Sequence, residues 1–131
     1  MSTTIAHAQP ADLDALAALF DAYRQFYGQP SDLAAARDWL RNRLRFGESR
    51  VLRARRNRDA VGFAQLYPMF SSVRMARTWI LNDLFVDSAA RRGGVARALL
   101  DAAAAFARED GAAGWNEDAT QWYSLPLSRT H

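Results

Sequence analysis

The stretch Asn82-Asp83-Leu84-Phe85-Val86-Asp87-Ser88-Ala89-Ala90-Arg91-Arg92-Gly93-Gly94-Val95-Ala96-Arg97-Ala98-Leu99-Leu100 decides how this chain is read. It starts inside an almost unbroken apolar run, Arg77 to Val86, of the kind expected of a central strand buried on both faces. Only Asn82 and Asp83 interrupt that run. A short loop follows, and Val95 to Arg108 then repeats with helical spacing, predicting an inward stripe of Val95, Leu99, Ala102 and Phe106. A helix opening from such a turn leaves several backbone N–H groups without helical partners, all pointing one way. The helix dipole adds partial positive charge at the same place. Gly93 and Gly94 carry no side chain to keep an anion off the backbone, and Arg91, Arg92 and Arg97 supply mobile positive charge. The combination reads as a diphosphate-binding helix N-terminus. The bland alternative is a tight turn, which a glycine pair before a helix often is. The segment is not a Walker loop, since no Gly-Lys-Ser/Thr follows, and it lacks the dinucleotide pattern Gly-x-Gly-x-x-Gly.

The elements around it describe one domain of 131 residues. Thr3 to His7 reads as a first strand. A helix from about Ala11 to Tyr27 carries Leu13, Leu16, Ala17, Phe20, Tyr23 and Tyr27 at helical spacing, and Gly28-Gln29-Pro30 stops it. Ser31 is the expected N-cap of a second helix with Leu33, Ala36, Leu40 and Leu44 on one face, ended by Gly47. Arg50 to Arg55 and Ala60 to Tyr67 form a predicted hairpin around the turn Asn57-Arg58-Asp59. Pro68 to Ala76 reads as a connection, and Ala119 to Leu127 as a last strand that Pro126 confines to an edge. Strand, helix, helix, three strands, helix, strand is an α/β arrangement: one mixed sheet with helices packed on it.

Composition narrows the chemistry. There is no cysteine, which removes disulfides, thiolate nucleophiles and cysteine metal sites, and suits a cytoplasmic setting. The two histidines, His7 and His131, stand at opposite ends of the chain, so no metal site is expected. All 17 basic residues are arginine, so neither a Schiff-base lysine nor a P-loop lysine exists. The net charge of +3 favours a polyanionic ligand mildly. Neither a membrane span nor a secretory signal is read at the residues present. The run Arg50, Arg53, Arg55, Arg56 and Arg58 raises nucleic-acid binding as a reading, but in a hairpin these side chains fall on both faces and the turn, and no aromatic residues interleave them. A solvated edge explains them, and no nucleic-acid partner is expected.

Arg91-x-x-Gly94-x-Ala96 resembles the acyl-CoA motif Gln/Arg-x-x-Gly-x-Gly/Ala of the GCN5-related N-acetyltransferase (GNAT) family. It stands where that family has it, between the fourth strand and the long helix. Ile80 to Val86 is similar to the fourth strand of polyamine-type and histone-type members, Ala60-Val61-Gly62-Phe63 to their third strand, and Ala8-x-Pro10-Ala11-Asp12-Leu13 to their N-terminal part. The likeness covers about residues 3 to 110 and implies the GNAT acyl-CoA N-acyltransferase fold, acetyl-CoA as co-substrate and a primary amine, small and aliphatic or a polyamine, as acceptor. It implies that the backbone of Leu84, Phe85 and Val86 pairs with the pantetheine arm, and that the amides of Arg92, Gly93, Gly94, Val95, Ala96 and Arg97, with Arg91, hold the diphosphate. The amine would attack directly, with Asp83 as general base and Asn82, an amide, able only to orient water or substrate. Asp83 capping backbone or pairing with Arg77 is the plainer reading of the same residue. Tyr23, Tyr27, Tyr67 and Phe70 are candidates for an amine pocket, or simply packing.

Against the family pattern the chain is short after Gly111. The expected fifth strand and fourth helix, with the tyrosine that protonates the leaving thiolate, are not found, and Tyr123 has no matching context. The competing reading is therefore a remnant that binds acetyl-CoA or a protein partner without turnover. The last strand is expected to fill the place beside the fourth by a right-handed crossover, and a homodimer is allowed for if that edge stays open.

Overall fold

The computed structural model describes residues 2–110; the expected last strand and the shortened segment after Gly111 lie outside them. Four strands, β1 (Thr3–His7), β2 (Arg50–Arg56), β3 (Asp59–Ser71) and β4 (Ala76–Val86), pair in the order β1-β2-β3-β4. All three pairings are antiparallel. Helices α1 (Leu13–Phe26) and α2 (Leu33–Arg45) cover one face and α3 (Val95–Glu109) the other. The helical expectation from Ala11 resolves into a short 3-10 turn, Pro10–Asp12, leading into α1.

Two expectations change, and a third is met in part. β4 is covered on both faces as expected, with β3 its one partner among the described residues, and the neighbour expected on its other side lies outside them. The apolar character of β4 comes from that cover: Trp79, Leu81 and Val86 pack under α3, and Phe85 beneath α1. Residues Pro68 to Ala76 are mostly strand rather than loop. β3 pairs with β4 as far as Ser71 opposite Ala76, whereas β2 begins opposite Leu66, so Pro68 lies where β3 is bordered on one side alone and a missing N–H is tolerated. The N-cap of α2 is Asp32, whose Oδ1 accepts from the Ala35 N–H at 3.1 Å. Ser31 instead donates to Asp21 Oδ2 at 2.6 Å, and Asp32 N–H donates to Oδ1 at 2.8 Å. These two donors, against the effect of burial, hold the Asp21 carboxyl below its usual range and tie the α1–α2 loop to α1.

The stripe of α3 is also shifted. Val95, Leu99, Ala103 and Ala107 are the fully covered positions, with Ala102 and Phe106 partly buried beside them. Two alanines in that line let the helix axis come close to the sheet. Gly62 of β3 lies beneath it: a Cβ there would stand 2.9 Å from the Phe85 carbonyl oxygen and 3.4 Å from Leu99 Cδ1.

Asp12 joins the start of α1 to β2. Its carboxylate accepts from Gln9 N–H and Arg55 Nη2, both at 2.8 Å, and lies 3.3 Å from Arg53 Nε. Burial pushes this carboxyl up, but the Gln9 N–H and the two guanidiniums outweigh it and hold it below the ordinary 3.8. A carboxyl depressed in the fold stabilises it fully above the unfolded value and loses that contribution as pH falls through the folded one. Asp12→Asn should therefore cost about 1–3 kcal/mol at pH 7. The difference from the parent should shrink below about pH 4, as read by urea unfolding at the two pH values.

Candidate active site

Gln65 of β3 stands opposite Asp83, and the next residue, Leu66, stands opposite Leu81, so Asn82 is an extra residue in β4. Such a bulge breaks the alternation of side chains between faces. Leu81 and Leu84 pack with the α3 cluster, whereas Asp83 meets Tyr23 of α1. In a regular strand running through Asn82 without a bulge, Leu81 and Asp83 would share a face, and the carboxylate would enter the apolar layer under α3.

Asp83 is 8% exposed and bonded on both oxygens. Oδ1 accepts from the Tyr23 hydroxyl at 2.9 Å and from Asn82 Nδ2 at 3.1 Å; Oδ2 accepts from Gln65 Nε2 at 2.9 Å. Neither backbone capping nor an Arg77 pair accounts for it, since Arg77 lies 3.5 Å from Asp110. The Tyr23 phenol is pushed far up by burial first and then by the Asp83 charge, so it remains a neutral donor. Tyr67 is raised for the same two reasons in the same order. Around Tyr23 stand Phe63, Phe85 and Tyr27, with ring centroids 5.7, 5.8 and 5.2 Å away. Phe70 belongs elsewhere: it is 74% exposed near the tip of the β3–β4 hairpin, beside Arg77.

The other half of the candidate site is the turn into α3. Gly94 is its N-cap with φ 79°, and Arg92 also takes a left-handed φ of 70°. The first intrahelical bond runs from Ala98 N–H to the Gly94 carbonyl at 3.0 Å. Helix geometry leaves the N–H groups of Val95, Ala96 and Arg97 without intrahelical acceptors. A Cβ built on Gly94 meets nothing within 4 Å, so the approach to these amides is open. Gly93 has a different reason to be glycine. Its missing side chain makes room for Arg56, whose Nη2 donates to the Gly93 carbonyl at 3.0 Å. Arg91 is not the mobile charge expected of it. Its Nε donates to the Val86 carbonyl at 3.0 Å, and the guanidinium lies over Phe85 and Phe26 at 5.6 and 5.7 Å. Arg97, its side chain 80% exposed, lies 3.4 Å from Asp101. Leu84, Phe85 and Val86 border the side of β4 that no strand occupies among the described residues.

A diphosphate fits this turn: open amides, a left-handed cradle and guanidiniums at its margin. The model of the acetyltransferase (GNAT) family matches residues 13–125. The chain belongs to the GNAT family of acetyltransferases. It is 49% identical over 108 residues to an uncharacterized N-acetyltransferase, YhfO, of Bacillus subtilis (strain 168), a match covering 82% of this chain and 72% of that protein. A probable acetyltransferase of Haemophilus influenzae (strain Rd) is 38% identical over 100 residues, covering 76% and 68% respectively. A crystal structure of a probable acetyltransferase superposes with a TM-score of 0.81 at 41% identity, covering 93% of this chain and 87% of that one.

GNAT enzymes generally use acetyl-CoA, and the turn at Gly94 suits its diphosphate. Two participants escaped sequence reading. Arg56 sat within a basic run that offered no reason to single it out. Gln65 was visible only as the one polar residue in an apolar strand. No helix among the described residues is long and apolar enough to cross a membrane. Gly94→Val strains a left-handed backbone and fills the open approach while disturbing no packed neighbour. It should weaken acetyl-CoA binding at least about tenfold by calorimetric titration, while the thermal unfolding midpoint falls by no more than about 10 °C, the cost of one strained residue.

Proposed function

We propose that this GNAT acetyltransferase moves an acetyl group from acetyl-CoA directly to a primary amine, a small aliphatic amine or polyamine, with Asp83 as general base. The observation that carries this reading is the Asp83 carboxylate, turned by the Asn82 bulge toward α1 and met by donors from α1, β3 and β4.

When bound, acetyl-CoA supplies an acetyl group activated as a thioester. The amides at the start of α3 and the amides of Arg92 and Gly93 hold its diphosphate, with Arg91 and Arg97 contributing charge. The open side of β4 at Leu84 to Val86 takes the pantetheine arm as an added strand. A free alkylammonium titrates near ~10 and must lose a proton before it can attack. A carboxylate has about four lone-pair positions, and three donors already meet Asp83, which leaves one for that proton, taken directly or through a water. Asn82 spends its amide N–H on Asp83 and does no proton chemistry itself. The faces of Tyr23, Tyr27 and Phe85 favour a cationic acceptor over an anionic one.

Thiol release from acetyl-CoA over a panel of amines tests the reading. Activity should be greatest with aliphatic primary amines. Asp83→Asn should lower kcat by about 10²–10⁴ while acetyl-CoA affinity stays within about twofold. Release from no amine, with acetyl-CoA still bound, would leave a cofactor-binding protein without turnover.

A further inference from the structure

The hydrogen bonding of Asp83 continues behind it. Gln65 donates from Nε2 to Asp83 Oδ2 at 2.9 Å, and its Oε1 accepts from the Ser49 hydroxyl at 2.9 Å. Gln65 is 0% exposed and Ser49 1%, so water does not reach either group to replace these bonds. The three residues lie across the sheet beneath α1 and α2: Ser49 just before β2, Gln65 on β3 and Asp83 on β4. The row has a direction. An ionised carboxylate only accepts, so the amide must turn its NH₂ toward Asp83 and its carbonyl away, and Ser49 must then donate.

We infer that Ser49 and Gln65 are positioning residues for the general base, and that they reserve Asp83 Oδ2 as the oxygen that takes the substrate's proton. This rests on the reading of Asp83 given above. Oδ1 is saturated, with Tyr23 and Asn82 both donating to it. Oδ2 has Gln65 alone and keeps a lone pair free. A carboxyl on a single χ2 bond can exchange its two oxygens by rotation. Gln65, unable to swing because Ser49 holds its far end, opposes that exchange with a bond on the opposite side from Tyr23. The ammonium N–H proton then goes to the free lone pair of Oδ2, and the freed nitrogen pair attacks the acetyl carbon; the C–S bond of the thioester breaks and coenzyme A leaves as its thiolate. Tyr23 from α1 and Tyr67 from β3 are the titratable groups beside Asp83, and both phenols are held neutral well above the working pH range.

Steady-state kinetics with acetyl-CoA and the best amine, over pH 5 to 9, tests the inference on four variants. Ser49→Ala frees the amide to turn and should lower kcat about threefold to tenfold, leaving the KM for acetyl-CoA unchanged. Gln65→Leu removes the donor and should lower kcat further, by at least about tenfold. Gln65→Glu puts a second carboxyl at hydrogen-bond distance, where two like charges share one proton. It should shift the acidic limb of the kcat profile upward, which reports that this side chain faces the base; the positioning role itself is read from the kcat loss of Ser49→Ala and Gln65→Leu at unchanged KM for acetyl-CoA. Asp83→Asn is the reference. If it loses activity while Ser49→Ala and Gln65→Leu keep the parent's kcat and pH profile, the positioning role is overturned and the base stands. If Asp83→Asn keeps full activity, the base itself is overturned. Should the Gln65 variants fail to fold, Ser49→Ala decides alone by its kcat and its unchanged KM.

Discussion

A carboxylate shut between a helix and a sheet is unfavourable unless polar groups surround it, because water no longer does so. Asp83 meets this demand with three donors from three separate elements, and that requirement ties the site half of the fold together. α1 must cross the sheet where Tyr23 reaches Oδ1. β3 must present Gln65 opposite. β4 must bulge at Asn82 so that Asp83 takes the face opposite Leu81 and points to this side. The apolar rings around Tyr23 keep solvent away and make those few hydrogen bonds count for more.

The opposite face solves a different problem, the aiming of a helix. The covered line of α3 ends in two alanines, and Gly62 beneath it has no room for a side chain, so the helix lies close on β3 and β4. Close contact along most of its length fixes where its N-terminus stands relative to the end of β4. Arg91 ties the same corner together by bonding the Val86 carbonyl across the loop, and Trp79 Nε1 ties the far end by donating to Asp110 at 2.7 Å. The open amides near Gly94 and the free side of β4 are thus held by one packing arrangement, as a cofactor that touches both would require.

Arginine in this chain is largely structural mortar. Arg53 and Arg55 neutralise the buried Asp12, Arg56 supports the Gly93 carbonyl, and Arg91 lies on two aromatic rings. The guanidinium suits these tasks, being planar, permanently charged and able to donate in several directions at once. A basic run that looks in the sequence like a polyanion-binding stripe is in the fold mostly divided among internal partners.

Local sequence determined what depends on local spacing. The strand borders at Thr3 and His7, the amphipathic helices, the β2–β3 turn at Asn57 and the glycine turn into α3 all follow from side-chain periodicity and backbone conformational preference, and they suffice for the family's fold. Tertiary structure decided whatever depends on neighbours distant in the chain. The inward stripe of α3 moved from Ala102 and Phe106 to Ala103 and Ala107, because the sheet's shape, not the helix's own pattern, chooses which side is buried. A bulge at Asn82 leaves no periodic mark, since one extra residue shows itself only against the partner strand's register. The reasons for Gly93, Gln65 and Ser49 were equally hidden: each serves a group that the chain brings close only after folding, and a hydrogen-bond partner tens of residues away has no signal in composition or spacing.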